Sequence, residues 1–287
     1  MRVLITGANG FIGRHVVRNF QARGAYVIGT DLQATAYEKE MQYIQADITD
    51  YKQLTPLLNE RFDCIIHLAA CLSMNSTDTL HINIVGTYNI LKIANQVGCQ
   101  NFLHLSSVPV IGSPPNTSFV TEDTPANPCT PYHISKYAAE QLVMLPEFAA
   151  MTRYNLRIAS PIGSGMADHF LMLMLKAAKE GKQLTLYGTG SRIQNYIDVR
   201  DIAEAMSQIL KKRPSEGLYL LGGHSCSNLE AARLCLSIVN SKHEIVFVDT
   251  PDPADGEQWL LDDKKARMAF GYVPRYSLEE SLIAILE

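Results

Sequence analysis

Tyr132 and Lys136 stand four residues apart in YHISK, within YHISKYAAEQLVML. The apolar spacing of that stretch predicts a helix that Pro146 ends, so the two side chains share one face. A phenol, with an ordinary pKa of about 10, is a poor base at neutral pH, and an ammonium beside it favours the phenolate and draws that value down. The same ammonium can hold a ribose hydroxyl. Ser107 closes NFLHLSS, a predicted strand. There its hydroxyl can hold the oxygen that Tyr132 protonates or deprotonates. Ser106 reads as structural. Phenol, ammonium and hydroxyl together suit hydride transfer between a secondary alcohol and a nicotinamide ring, a step in which the protein positions the reactants. Tyr-x-x-x-Lys by itself is common on surface helices, so the weight of this reading rests on what accompanies it.

It is accompanied by TGANGFIG at residues 6–13, directly after the apolar run VLI. Gly7 permits a tight turn, Gly10 lets backbone approach a pyrophosphate, and Gly13 lets the following helix pack close to the strand. The helix starting near Phe11 turns its free N–H groups and its dipole toward the phosphates. Three spaced glycines between a first strand and an amphipathic helix form the dinucleotide fingerprint. Asp31 ends the second predicted strand, YVIGT. A carboxylate there accepts the ribose hydroxyls of the adenosine half and repels a 2′-phosphate, which selects NAD over NADP. Asp47 follows the third predicted strand, where an adenine contact and a helix cap before ITDYKQL both remain open.

These residues need a frame that brings strand ends together. RVLIT, YVIGT, QYIQA, FDCIIHLAA, NFLHLSS and YNLRIA read as strands. IGRHVVRNFQAR, YKQLTPLLNE, DTLHINIVGTYNILKIANQVG and YHISKYAAEQLVML read as the helices between them, with Asp78 as the N-cap of the third. Strand–helix alternation of this kind predicts an α/β fold with a Rossmann-type, doubly wound parallel sheet. Beyond residue 158 glycines punctuate the chain around one helix, HFLMLMLKAAKEG; YIDVRDIAEAMSQIL and GLYLL then add a helix–strand unit to the first sheet. The tail reads as two helices split by Gly271 and Pro274. The expected division is an NAD-binding domain of residues 1–158 plus 197–221, and a small C-terminal α/β substrate-binding annex of 159–196 plus 222–287.

Composition narrows the function classes. The 287 residues carry a net charge of −4, with 47% hydrophobic residues, enough for a substantial core. Basic residues are scattered, which argues against a nucleic-acid surface. No apolar run approaches the roughly 20 residues that span a bilayer, and the N-terminus has no secretory pattern. The six cysteines form no Cys-x-x-Cys pair or zinc spacing. These features predict a cytoplasmic protein with reduced, mostly buried thiols, no metal and no membrane or nucleic-acid partner. His67 and His104 fall in core strands and read as hydrogen-bonded structural residues. His133 reads as pointing off the face of Tyr132. Arg157 reads as structural, and the methionines of HFLMLMLK and Cys71 as packing.

Taken together, TGANGFIG, Asp31, DITD, HLAA, NIVGTYNIL, LHLSSVPVIG, YHISK, LRIASPIG and YIDVRDIAEA resemble the extended short-chain dehydrogenase/reductases. Among these the chain is most similar to the NAD-dependent nucleotide-sugar epimerase/dehydratase family, from residue 1 to about 222 and again at GYVPRYSLEES. The resemblance implies that Gly7, Gly10, Phe11, Ile12, Gly13, Asp31, Leu32, Asp47, Ile48, Leu68, Ala69, Ala70, Tyr132 and Lys136 contact NAD. It implies that Asn83 braces the catalytic strand, and that the helices around 83–97 and 132–145 form a homodimer through a four-helix bundle. Ser107, Tyr132, Ser160, Arg192 and Gln194 become the substrate residues.

Departures from the family pattern narrow the chemistry further. The family's dehydratases carry Asp-Glu in the two positions after the catalytic hydroxyl residue, and this chain has Val108 and Pro109. Epimerases that invert beside the ketone use Cys at the position of Val108. Ser160 stands where Asn is common, and Gln194 near where an Arg meets the diphosphate. Arg192 substitutes for it only if this stretch is extended, which puts both side chains on one face. The expectation is a nucleotide-sugar 4-epimerase. The alternatives are a net NAD-dependent dehydrogenase or ketoreductase of a sugar or other small carbonyl compound, and a non-catalytic NAD-sensing protein, against which the intact Ser107, Tyr132 and Lys136 argue.

Overall fold

A computed structural model describes residues 1–73, 77–115, 118–166 and 169–286. Seven parallel strands form the main sheet: β1 (Arg2–Thr6), β2 (Tyr26–Asp31), β3 (Gln42–Gln45), β4 (Cys64–His67), β5 (Asn101–Ser107), β6 (Thr152–Ile158) and, late in the chain, β10 (Gly217–Leu221). Their order across the sheet is β10-β6-β5-β4-β1-β2-β3. The chain winds outward one way from β1 through β2 and β3, and the other way from β4. The switch point therefore lies between β1 and β4, where the carboxyl ends of the strands leave a crevice.

Helices α1 (Phe11–Ala22), α2 (Tyr51–Leu54), α3 (Thr77–Gln96) and α4 (Pro131–Val143) make the crossovers. α1 buries Gly13, Val16, Val17 and Phe20, the i, i+3, i+4, i+7 stripe legible in the sequence. YKQLTPLLNE departs from the single helix expected: α2 stops at Leu54 and residues 55–59 form a 3-10 turn. Pro56, which has no N–H to donate, is tolerated at the start of that turn but not inside an α-helix. Asp78, expected to cap α3, lies in the first turn of that helix, and the residues directly preceding Thr77 lie outside the described ones.

The annex holds more strand than its sequence suggested. The stretches expected to form it contain β7 (Ser160–Ile162), α5 (Phe170–Lys179), β8 (Leu184–Tyr187), β9 (Ile193–Asp198), β11 (His224–Ser227), α7 (Asn228–Ile238), β12 (Ile245–Val248), α8 (Lys264–Phe270) and α9 (Leu278–Leu286), of which α8 packs instead on the core of the main sheet through Ala266 and Phe270. α6 (Val199–Lys212) returns the chain to β10. YID, read as the start of a helix, is the end of β9, and the helix opens at Val199: Asp198 caps α6 by accepting from the Arg200 N–H. β9 pairs with β7 in parallel and β11 antiparallel, and β8 pairs with β12. α5, α7 and α9 cover these strands with a core that includes Leu171, Leu175, Ala232, Cys235 and Leu282. Of the six thiols, Cys64, Cys99 and Cys235 are buried and Cys129 is exposed; none forms a disulfide. Among the described residues no helix is long and apolar enough to cross a membrane, and no group of His, Cys, Asp or Glu could hold a metal ion.

Candidate active site

β1 stops at Thr6 because Gly7 turns the chain at φ +68°, a left-handed value at which a side chain is strained. A Cβ at Gly7 would also lie 2.7 Å from the Ala69 backbone nitrogen, and one at Gly13 only 2.0 Å from the Gly7 carbonyl oxygen. Gly13 thus holds α1 against the turn. Gly10 caps α1 with no side-chain hydrogen bond, and no acidic residue stands in its first turn, so the terminal N–H groups are left to an outside acceptor. These residues border a cavity of about 390 Å³ above the switch point. Gly7, Gly10, Phe11, Ile12, Gly13, Leu68 and Ala70 line one side; Ser107, Tyr132, Lys136 and Ser160 line the other.

The adenosine-side candidates lie apart from that lining. Asp31 ends β2, where its carboxylate accepts from the backbone N–H groups of Asn9 at 3.0 Å and Leu32 at 2.8 Å. Leu32 is exposed. Asp47 does not cap a helix: it accepts from the N–H and hydroxyl of Thr49, and Asp50 caps α2 instead. Ile48 is buried, against the point where a Cβ on Gly86 would sit. The Ala69 N–H donates to Thr6 Oγ1.

Thr130 and Pro131 fix the start of α4. Thr130 Oγ1 accepts from the His133 N–H, and Pro131 occupies the first turn, where its missing donor costs nothing. Tyr132 and Lys136 then face the cavity from one side of the helix, as their spacing predicts. Asn83 braces the site: its amide donates to Ser135 Oγ at 2.8 Å and to the Cys71 carbonyl, and its Oδ1 accepts from the Cys71 N–H. Arg157 and Ser106 are structural, as expected. Both bond Glu140, with Arg157 bidentate and its side chain and that of Glu140 each 4% exposed.

Beneath α4 the sheet carries a row of polar residues in register across four strands, Thr6, His67, His104 and Asn155. Thr6 Oγ1 lies 2.7 Å from His67 Nδ1, and His104 Nδ1 lies 2.8 Å from Asn155 Oδ1. His67 and His104 are thus hydrogen-bonded core residues, as the sequence indicated. His104 does more: its Nε2 lies 3.0 Å from Lys136 Nζ. Burial pulls the Lys136 ammonium down to about 8, against the opposing charge of Glu140. Burial, and then the Lys136 charge, holds His67 at about 3, and His104 also falls well below the ordinary histidine value. The phenol departs from expectation. Burial, and the loss of water that comes with it, raises Tyr132 to about 12.

A second cavity of about 300 Å³ shares Pro109, Ala159 and Ser160 with the first. Arg192 and Gln194 form its far wall, and both also line a third cavity of about 690 Å³. The third cavity runs between α5 and β8, past Phe170, Leu173, Leu184, Leu186 and Tyr187. Arg192 lies just before β9 and Gln194 within it, and both side chains meet the same two spaces. Sequence reasoning missed His133, Glu257 and Trp259, which also line the second cavity. His133 does not point away from the site. Its ring meets that of Tyr132 edge-on at 5.5 Å, because the cavity wraps around the end of α4.

The model of the NAD dependent epimerase/dehydratase family matches residues 3–222. The chain belongs to that family. Among its curated relatives, UDP-glucose 4-epimerase of Lactobacillus helveticus is 26% identical, over 99% of this chain and 95% of that protein. dTDP-glucose 4,6-dehydratase of Neisseria gonorrhoeae is 28% identical, over 98% and 93%. Among solved structures, the UDP-glucose 4-epimerase of Thermus thermophilus in complex with NAD superposes with a TM-score of 0.88 at 26% identity, covering 100% of this chain and 98% of that one. This family member is accordingly an NAD-dependent enzyme of Rossmann-like α/β fold. Its glycine turn, too tight for any Cβ at Gly7 or Gly13 and ending on uncapped amides, fits a dinucleotide pyrophosphate.

Proposed function

We propose that this enzyme is a nucleotide-sugar 4-epimerase. The observation that carries the reading is the run of three cavities joined by shared residues: Pro109, Ala159 and Ser160 between the first and second, Arg192 and Gln194 between the second and third. The order matches a dinucleotide, a hexose, a diphosphate and a base. The glycine turn cradles the NAD pyrophosphate and Asp31 takes the adenosine ribose, with Leu32, Asp47, Ile48, Leu68, Ala69 and Ala70 around that half. Lys136 holds the nicotinamide ribose. Arg192 and Gln194 meet the sugar diphosphate, and the apolar wall of α5 and β8 stacks the base.

When bound, NAD supplies a cationic ring that accepts a hydride and returns it. Ser107 holds the C4 oxygen of the sugar while Tyr132 takes the hydroxyl proton, and Tyr132 gives the proton back after the keto-sugar has turned over. A phenol raised to about 12 by burial needs positive charge beside it to release its proton, and Lys136, on the same helix face and in the same cavity, is its proposed source. Val108 and Pro109 carry no titratable group, which supports epimerisation over dehydration. The proposal extends to the division into an NAD-binding domain and an annex, to a cytoplasmic location, and to a homodimer formed through α3 and α4.

Incubation with UDP-glucose, UDP-galactose or dTDP-glucose without added NAD tests the reading. The expected product is the C4 epimer; accumulation of a 4-keto-6-deoxy sugar, or turnover only with NADH supplied stoichiometrically, counts against it. The cradle has its own test. Gly13→Ala forces a methyl group against the Gly7 carbonyl and is expected to weaken NAD binding at least tenfold, about 1.4 kcal/mol, in calorimetric titration.

A further inference from the structure

We infer that His104 is the positioning residue for Lys136, its Nε2 lone pair fixing the ammonium where it meets the NAD ribose and Tyr132. The inference rests on the reading of Lys136 as a ribose contact. The direction of each hydrogen bond follows from the partners. Asn155 donates its amide to the Glu140 carbonyl, so its Oδ1 faces His104 as an acceptor. His104 Nδ1 must therefore carry the hydrogen, and Nε2 is left as a lone pair 3.0 Å from the ammonium.

Lys136 is 3% exposed, so its three donors depend on protein acceptors. The carboxylate of Glu140, one turn along α4, is engaged by Ser106 and by both sides of the Arg157 fork. The other groups facing Lys136 are Tyr132 on its own helix and His67, stacked on His104 at 6.0 Å from the neighbouring strand. A neutral imidazole in this place has a consequence that a carboxylate would not have. It orients the ammonium without cancelling its charge, leaving that charge for the phenol and the ribose. The register row makes the device rigid, because Thr6, His67, His104 and Asn155 fix one another across β1, β4, β5 and β6.

NAD affinity measured by calorimetry as a function of pH tests the inference. NAD binds the form with Lys136 protonated, so affinity is level below the lysine value near 8 and weakens about tenfold per pH unit above it. His104→Leu removes an acceptor of the charged form, and the break is expected at least about one pH unit lower. His104→Gln keeps an acceptor near the Nε2 position and should restore the break. His104→Asn keeps only the group near Nδ1 and should behave as Leu does, which serves if the Leu variant does not fold. A break at the wild-type pH in His104→Leu or His104→Asn overturns the inference. Lys136→Met should abolish the break; if it does not, the ribose role of Lys136 fails first, and the inference with it.

Discussion

Tyr132→Phe is expected to lower kcat by about 10³-fold while changing NAD and nucleotide-sugar affinity by no more than a few-fold. The phenol proton moves twice in each cycle, out of the C4 hydroxyl and back, and no other group on the Tyr132–Lys136 face can replace it. Lys136 is held by His104, and the Ser107 hydroxyl ordinarily titrates far above neutral pH. The ring itself is kept in the variant, with its edge-on contact to His133, so the cavity retains its shape. Single-turnover measurement of cofactor reduction separates the two effects. A kcat within tenfold of wild type would remove Tyr132 from the chemistry.

Glu140→Gln is expected to destabilise the fold by about 3–5 kcal/mol, because it leaves the Arg157 guanidinium buried without a counter-charge. Both side chains are 4% exposed, and Arg157 Nη1 already has no hydrogen-bond partner among the described residues. In thermal unfolding the loss corresponds to roughly 10 °C in Tm for a chain of this size. Replacing both residues, Glu140→Leu with Arg157→Met, removes the charge together with its partner and should recover much of the loss. The comparison separates an unpaired buried charge from a simple loss of contacts. If Glu140→Gln melts within about 2 °C of wild type, the pair is not holding α4 to β6.

The parts of this site that are legible in the sequence are those set by local rules. Gly7, Gly10 and Gly13 are legible because a tight turn feeding a helix requires them. Tyr132 and Lys136 are legible because four residues make one helical face. Ser107 is legible because it ends a strand on the carboxyl side of the sheet. The less legible parts depend on partners distant in sequence. β8 and β12 are four-residue strands paired from Leu184↔Ile245 to Tyr187↔Val248, with α7 and β9 between them in the chain. Glu257 and Trp259 reach the second cavity only because Gln258 bridges Ile193. The pairing of His104 with Lys136 needs α4 laid across β5, a packing relation that strand alternation in LHLSS does not state. The Tyr132 pKa departs from the spacing argument for a related reason: spacing gives a lysine's presence, whereas the burial that raises the phenol is set by the packing around it.

The most direct test of the central claim follows a deuterium placed at C4 of a UDP-hexose. An epimerase that takes hydride from C4 and returns it to the other face keeps the label at C4 of the product, with none gained from or lost to solvent. Retention at C4 is the predicted result. Label found at C6 would show the internal transfer that accompanies dehydration, and label leaving on released NADH beside a ketone would show net oxidation; either would contradict this account.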